Sequence, residues 1–354
     1  MPEASMPAYR LTDWLQQPAI VDITVPRPGP GEVLVRVAGN GLCHSDLTIH
    51  QISAEIGAAL GWRVPFTLGH EIAGWIADAG DEAAAVTAAP GTPVALVSPA
   101  SCGRCRYCLR GLDSACPDGL AGRGYGRDGG LAPYVIAPAG RGVVPLTTLD
   151  PVEAAPLTDA GATSYHAVRR ALPRLGPGSW AVVLGAGGLG AFAIQHLKAL
   201  SAARVVAVDR AAGRRALARE LGADEAIDGI TSATAHDLAD VCGAQAADVV
   251  LDFVGTDASI ATGLRALAPA GAFGLVGAAG GTLRRGWYGT LPREAEIFTF
   301  QGSTIADLQD VIALAEAGRI RPLVDRFALA DIDEAYAALA AGALHGRAVV
   351  IPPL

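Results

Sequence analysis

Residues 180–190 read Trp180-Ala-Val-Val-Leu184-Gly185-Ala-Gly187-Gly188-Leu189-Gly190. Five apolar residues of strand character run straight into a Gly-x-Gly-x-x-Gly sequence that opens a helix-like stretch. Alone, that glycine spacing is a weak signal. Here a second apolar strand, Arg204–Val208, follows and ends in Asp209, nineteen residues past Gly190, as a dinucleotide-binding βαβ unit requires. Gly185 permits the tight turn, and Gly187, with Gly188 and Leu189 beside it, lets the backbone approach a pyrophosphate. Gly190 allows close packing of helix on strand, and the helix N-terminus stabilises the phosphates. Asp209 is expected to accept hydrogen bonds from the adenine ribose hydroxyls and to repel a 2′-phosphate, which favours NAD over NADP. Arg210, next in sequence, can soften that preference.

Outward from this unit, strands are expected at 180–185, 204–209, 248–253 and 272–276. Amphipathic stretches such as Arg214–Leu221 and Ser259–Leu267 lie between them. Alternation of this kind means a parallel sheet in a doubly wound α/β domain, spanning 153–302. Residues 1–152 differ: short strands (Val33–Val37, Val94–Val97) are punctuated by Gly and Pro, as in the turn at 26–32, giving a mostly β region. After Gly302 come a helical stretch (Ile305–Ala317), Phe327–Leu329, a helix from Ile332 and a strand at Ala348–Ile351.

The chain of 354 residues has room for two such domains. With 51% hydrophobic and 18% charged residues it is no disordered chain. A formal charge of −8 without a basic run excludes nucleic acid as a partner. The mean hydropathy of +0.34 requires a membrane reading to be tested. Leu175–Leu197 is long enough to span, but it contains Pro177 and six glycines and divides into strand and helix. Ala83–Gly103 is broken by Pro90, Pro93 and Pro99. No apolar signal segment opens the chain, so a cytoplasmic protein with no membrane association is expected.

Of six cysteines, Cys102, Cys105, Cys108 and Cys116 fall within fifteen residues. Four thiolates at this spacing can enclose Zn²⁺ tetrahedrally with no open position, a structural site. Arg104, Arg106 and Arg110 interleave and offset the charge. An iron–sulfur cluster or disulfides are the competing readings. Cys242, on a helix-like stretch, reads as a small buried apolar residue. A second group combines Gly41-Leu-Cys43-His44-Ser45-Asp46 with Gly69-His70-Glu71, bringing thiol, imidazole, hydroxyl and carboxylates together. From local sequence alone, Asp159 reads as a helix N-cap before Ala160–Arg169.

In this order, these motifs resemble those of the zinc-dependent medium-chain alcohol dehydrogenases over essentially the whole chain. The resemblance is greatest to bacterial NAD-dependent secondary alcohol dehydrogenases, through CHSD (43–46), TLGHE (67–71) and PLTDAG (156–161). It implies a GroES-like catalytic domain at 1–152, completed by 303–354, beside a Rossmann domain at 153–302. It also implies NAD and two Zn²⁺ per chain, one catalytic and one structural. Cys43, His70 and Asp159 would ligate the catalytic zinc, Glu71 could approach it, and Asp46 would fix the His70 tautomer. Ser45 matches the hydroxyl that takes the alcohol proton. Thr48 stands where many members carry the relay histidine, and His50 lies two residues beyond.

His44 and Arg347 align with basic residues near the pyrophosphate, and Thr163 with a nicotinamide neighbour. Trp62, Trp287 and Tyr288 are candidates for the walls of an apolar substrate pocket. His166, His196, His236 and His345 have no motif support. The expected activity is reversible oxidation of secondary, and some primary, alcohols to ketones or aldehydes by a homodimer or homotetramer. The alternatives are a dehydrogenase of polyols or amino-alcohols, a zinc-free quinone or enoyl reductase, and a non-catalytic NAD-binding protein.

Overall fold

The computed structural model describes residues 4–83, 89–243, 246–284, 286 and 288–353. The chain forms two compact units, 1–162 with 302–354, and 163–301. The first division falls within the Ala160–Ala171 helix rather than at 152. The turns from Pro151 to Thr158 pack on the strands Glu32–Gly41 and Glu71–Ala79, which keeps them in the first unit.

In the 163–301 unit six strands pair in parallel throughout. Their order is Glu225–Asp228, Arg204–Asp209, Trp180–Leu184, Ala247–Asp252, Leu267–Leu275 and Glu296–Thr299. Numbered along the chain this is 3-2-1-4-5-6, the doubly wound dinucleotide-binding order. Trp180–Leu184 is buried along its whole length, as a strand covered on both faces must be. Its Val182 and Leu184 join Val206, Val208, Val250 and Phe273 in the core. The order reverses between Trp180–Leu184 and Ala247–Asp252, so a crevice opens at their carboxyl ends, where Gly185 stands. The strands Glu225–Asp228 and Glu296–Thr299 lack a sequence signature. They are four-residue edge strands, partly exposed, and carry no apolar run.

In the first unit a seven-stranded sheet is centred on Glu32–Gly41 and Glu71–Ala79. The tail returns here: the strand Arg347–Ile351 pairs antiparallel with Glu32–Gly41 (Val349 opposite Gly41) and parallel with Val324–Ala328. Val33, Val35, Ile72, Ile76 and Leu96 form one core beneath the sheet. Leu11, Leu42, Phe66, Leu131 and Val350 form another. No helix among the described residues is long and apolar enough to cross a membrane.

Candidate active site

Cys43 leaves the carboxyl end of the Glu32–Gly41 strand, and His70 immediately precedes the antiparallel Glu71–Ala79 strand. Pairing of Gly41 with Glu71 therefore brings the two motifs together. Gly41 has to be glycine, because a Cβ there would collide with the Glu71 carboxylate. Leu42 N–H donates to Ala348 O, tying the Cys43 loop to the returning tail. The Asp46 carboxylate accepts from Cys43 N–H at 2.9 Å and lies 3.3 Å from His70 Nδ1. With Nδ1 facing Asp46, Nε2 is directed to the other side, where Asp159 Oδ2 is 3.6 Å away. An imidazole oriented through one ring nitrogen, with the other turned into the site, is the usual arrangement of a metal-binding histidine.

Asp159 closes the 3₁₀ turn Ala155–Thr158, immediately ahead of the Ala160–Ala171 helix. Ligand atoms of Cys43, His70, Glu71 and Asp159 all lie within 4.8 Å of one another. Ligands about 2.0–2.3 Å from one Zn²⁺ are separated by roughly 3.3–3.8 Å in a tetrahedron, so the donor set fits zinc. Burial alone would disfavour a charged His70, yet Tyr125, Asp46 and Asp159 raise its pKa well above the ordinary histidine value. That surplus of acidic donors suits a cation.

Glu71 is set apart from the other three. Its fully buried carboxylate accepts from Arg347 Nε at 3.2 Å and also from a terminal nitrogen of the same guanidinium. Burial pushes the Glu71 carboxyl up, and Arg347 draws it back down. Cys43, His70 and Asp159 are therefore the three candidate ligands of the cluster that Arg347 does not hold. The same contact fixes Arg347, which the family resemblance places near the pyrophosphate. It is 4% exposed, with its guanidinium held by Glu71.

Tyr125 belongs to this site and was missed by sequence reasoning. Its hydroxyl lies 2.8 Å from Ser45 Oγ and 3.0 Å from His70 Nε2. Its ring stands 4.5 Å from His70 and 5.7 Å from Trp62. Trp62 is thus beside the site, anchored by Nε1 donation to Leu120 O at 2.7 Å. The Thr48 hydroxyl donates to Ser45 O at 3.0 Å, and half-buried His50 caps the short Asp46–Ile49 helix. His44 is exposed on the same loop. Trp287 lies outside the described residues. Tyr288 is corrected as a wall residue: it sits in a turn beside Gly289 and is 84% exposed.

The four clustered cysteines close on one another. Sγ separations are 4.0 Å for Cys102–Cys108, 3.5 Å for Cys105–Cys108 and 3.9 Å for Cys105–Cys116. All are too long for disulfides and match the edges of a tetrahedron of sulfurs about 2.3 Å from zinc. Backbone N–H groups of Arg104 and Cys105 draw the Cys102 thiol down to about 6, which favours the ligating thiolate. Cys242, buried in the core of the other unit, has its thiol pushed up to about 11 by burial.

In the 163–301 unit Gly185 takes φ 87°, Gly187 caps the Gly188–Leu200 helix, and a Cβ on Gly190 would strike Gly185 O. Asp209 is 8% exposed. Its two oxygens accept from Ala186 N–H at 3.0 Å and Ala211 N–H at 2.9 Å, fixing it to the glycine turn. Arg214, also missed from the sequence, approaches Asp209 Oδ2 at 3.9 Å and would contact a Cβ on Gly187 at 3.0 Å. Arg210 is exposed. Thr163 is buried in the Ala160–Ala171 helix.

Residues 29–148 match the alcohol dehydrogenase GroES-like domain, and residues 188–317 the zinc-binding dehydrogenase domain. The chain is 35% identical to a D-arabinose 1-dehydrogenase (NADP(+)) of Saccharolobus solfataricus, covering 94% of each. It is also 35% identical to an NAD-dependent alcohol dehydrogenase of that organism, covering 98% of this chain and all of the relative. The crystal structure of the alcohol dehydrogenase from Aeropyrum pernix superposes with a TM-score of 0.89 at 32% identity, over 98% of this chain and 100% of that one.

Proposed function

Because the chain belongs to the zinc-dependent medium-chain alcohol dehydrogenases, we propose that it oxidises secondary, and some primary, alcohols reversibly with NAD. One observation carries this reading: Cys43, His70 and Asp159 converge while Arg347 holds Glu71, so those three would ligate a zinc. Zinc held by these residues would supply Lewis acidity toward an alcohol oxygen, and NAD would serve as the hydride acceptor. The chain's own residues do the rest. Asp46 keeps His70 in the tautomer that presents Nε2. Ser45 Oγ takes the alcohol proton while passing its own towards the nicotinamide ribose, and the Tyr125 hydroxyl, 2.8 Å away, holds that serine in place. Tyr125 and Trp62 form one aromatic wall suited to an uncharged carbon skeleton.

The glycine turn at 185–190 and the helix it opens receive the NAD pyrophosphate. Asp209 meets the adenine ribose, and His44 and Thr163 supply further cofactor contacts. The four-cysteine lobe holds a second, structural zinc. Six cysteines with no disulfide among them suit a reducing cytoplasm, and the protein acts as a homo-oligomer. A second reading, oxidation of a sugar or polyol with NADP, is favoured by the arabinose dehydrogenase relative and by Arg214 beside Asp209.

The test is a panel of secondary alcohols, primary alcohols and sugars with NAD and NADP, before and after zinc removal and readdition. Zinc-restored turnover of secondary alcohols with NAD is expected. Preference for aldoses with NADP would replace this reading with the second.

A further inference from the structure

Gly122-Arg-Gly-Tyr-Gly-Arg127 is a tight loop in which Gly122–Arg123 and Gly126–Arg127 pair as a two-residue parallel ladder. Gly124 and Gly126 turn it with φ 75° and 76°, and Gly124 abuts Gly69, next to His70. The loop delivers Tyr125 to the catalytic cluster. The ladder also sets Arg123 directly opposite Arg127, and like charges in register destabilise a strand pair. Both arginines line a cavity of about 560 Å³ in the first unit.

Four arginines (Arg10, Arg123, Arg127, Arg141) and two carboxylates (Glu32, Asp128) line that cavity. Arg10 is paired with Asp128 at 3.2 Å, and Arg141 with Asp113 at 2.5 Å. The Glu32 carboxylate accepts from Gly29 N–H. Cys102, of the four-cysteine lobe, also reaches the wall. Arg123 and Arg127 have no carboxylate partner among the described residues. Arg123 donates to Val97 O, its Nε is shut off from solvent, and Nε has no acceptor. Burial and the neighbouring Arg127 lower the Arg123 guanidinium to about 10, so it still carries its charge at neutral pH. A guanidinium with one donor shut off from solvent and left without an acceptor is costly unless an anion meets it.

We propose that Arg123 and Arg127 form a binding site for a phosphate-class oxyanion on the loop that carries Tyr125. Two guanidiniums lining one cavity match the several acceptor oxygens of such an ion, and the cavity has room for a phosphate ester as well as the free ion. Occupancy neutralises the arginine pair and firms the loop on which the Tyr125–Ser45 contact depends.

The test uses the zinc-loaded protein saturated with NAD, so that the cofactor's own phosphate-binding turn is filled. Inorganic phosphate is titrated calorimetrically at constant ionic strength, with chloride as the balancing anion, and acetate is titrated in parallel. One saturable phosphate site per chain is expected, with affinity falling at least about tenfold, or about 1.4 kcal/mol, in Arg127→Ala. Arg127 is exposed, so this variant folds even if Arg123→Gln does not. Arg104→Ala, altering an exposed arginine of the cysteine lobe, leaves phosphate affinity unchanged. Acetate binding at the same site with equal affinity would make it a carboxylate site and overturn the phosphate assignment. Absence of saturable binding, or equal affinity in Arg127→Ala, would overturn the site itself.

Discussion

Arg347 reaches Glu71 across 276 residues of sequence, and both side chains are buried where they meet. The contact fastens the returning tail to the strand that begins at the catalytic cluster. Arg347→Met leaves the Glu71 carboxylate unpaired in the interior, which should cost about 3–5 kcal/mol. Denaturant unfolding of the zinc-loaded protein measures it. The double variant Arg347→Met with Glu71→Gln should recover part of the loss, because no buried charge is then left alone.

Tyr125 and Ser45 should separate in kinetics. Ser45→Ala removes the hydroxyl that relays the alcohol proton, and kcat should fall roughly 10²–10⁴-fold. Tyr125→Phe keeps the ring against Trp62 and removes only the hydroxyl that holds Ser45. Its kcat should fall less, by roughly tenfold, with little change in zinc content. Steady-state rates and metal analysis on the two variants check this.

These residues also mark how far the sequence could be read. The glycine turn, Asp209 and the four-cysteine lobe were legible because each forms its geometry within one local segment or one βαβ unit. Cys43 and His70 were legible as motifs, and register explains their meeting: Gly41 faces Glu71. The roles of Tyr125 and Arg214 depend on where a glycine loop and a helix turn place them, with no fixed spacing to reveal it. Arg347 could be singled out by resemblance, but its partner could not, since that pairing needs the tail strand to join the Glu32–Gly41 strand. The same holds for the edge strands Glu225–Asp228 and Glu296–Thr299, whose pairing comes from the sheet they border.

Coenzyme choice should follow Asp209. Asp209→Ala removes the carboxylate from the ribose position and leaves Arg214 in place. The ratio of kcat/KM for NADP to that for NAD should rise at least about tenfold. Adding Arg214→Ala should reverse much of the gain, and steady-state kinetics with both coenzymes decide.

Asp224 should shape the acid limb of stability. Burial raises its carboxyl, but Val205 N–H and the Lys198 ammonium outweigh that and hold it below the ordinary aspartate range. A depressed folded value stabilises above the unfolded pKa of about 4, and the contribution is lost as pH falls through the folded value. The stability difference between wild type and Asp224→Asn should be full near neutrality and shrink below about pH 4. Unfolding midpoints across that range measure it.

The central claim is that Cys43, His70 and Asp159 hold a zinc distinct from that of the four-cysteine lobe. Its most direct test is the zinc content per chain of purified wild type and Asp159→Ala, measured beside NAD-dependent alcohol oxidation. The expected result is about two zinc ions falling to about one, with activity lost and the lobe's metal retained, as one closed four-sulfur site and one open three-ligand site require. An Asp159→Ala protein that keeps both ions and full activity would contradict it.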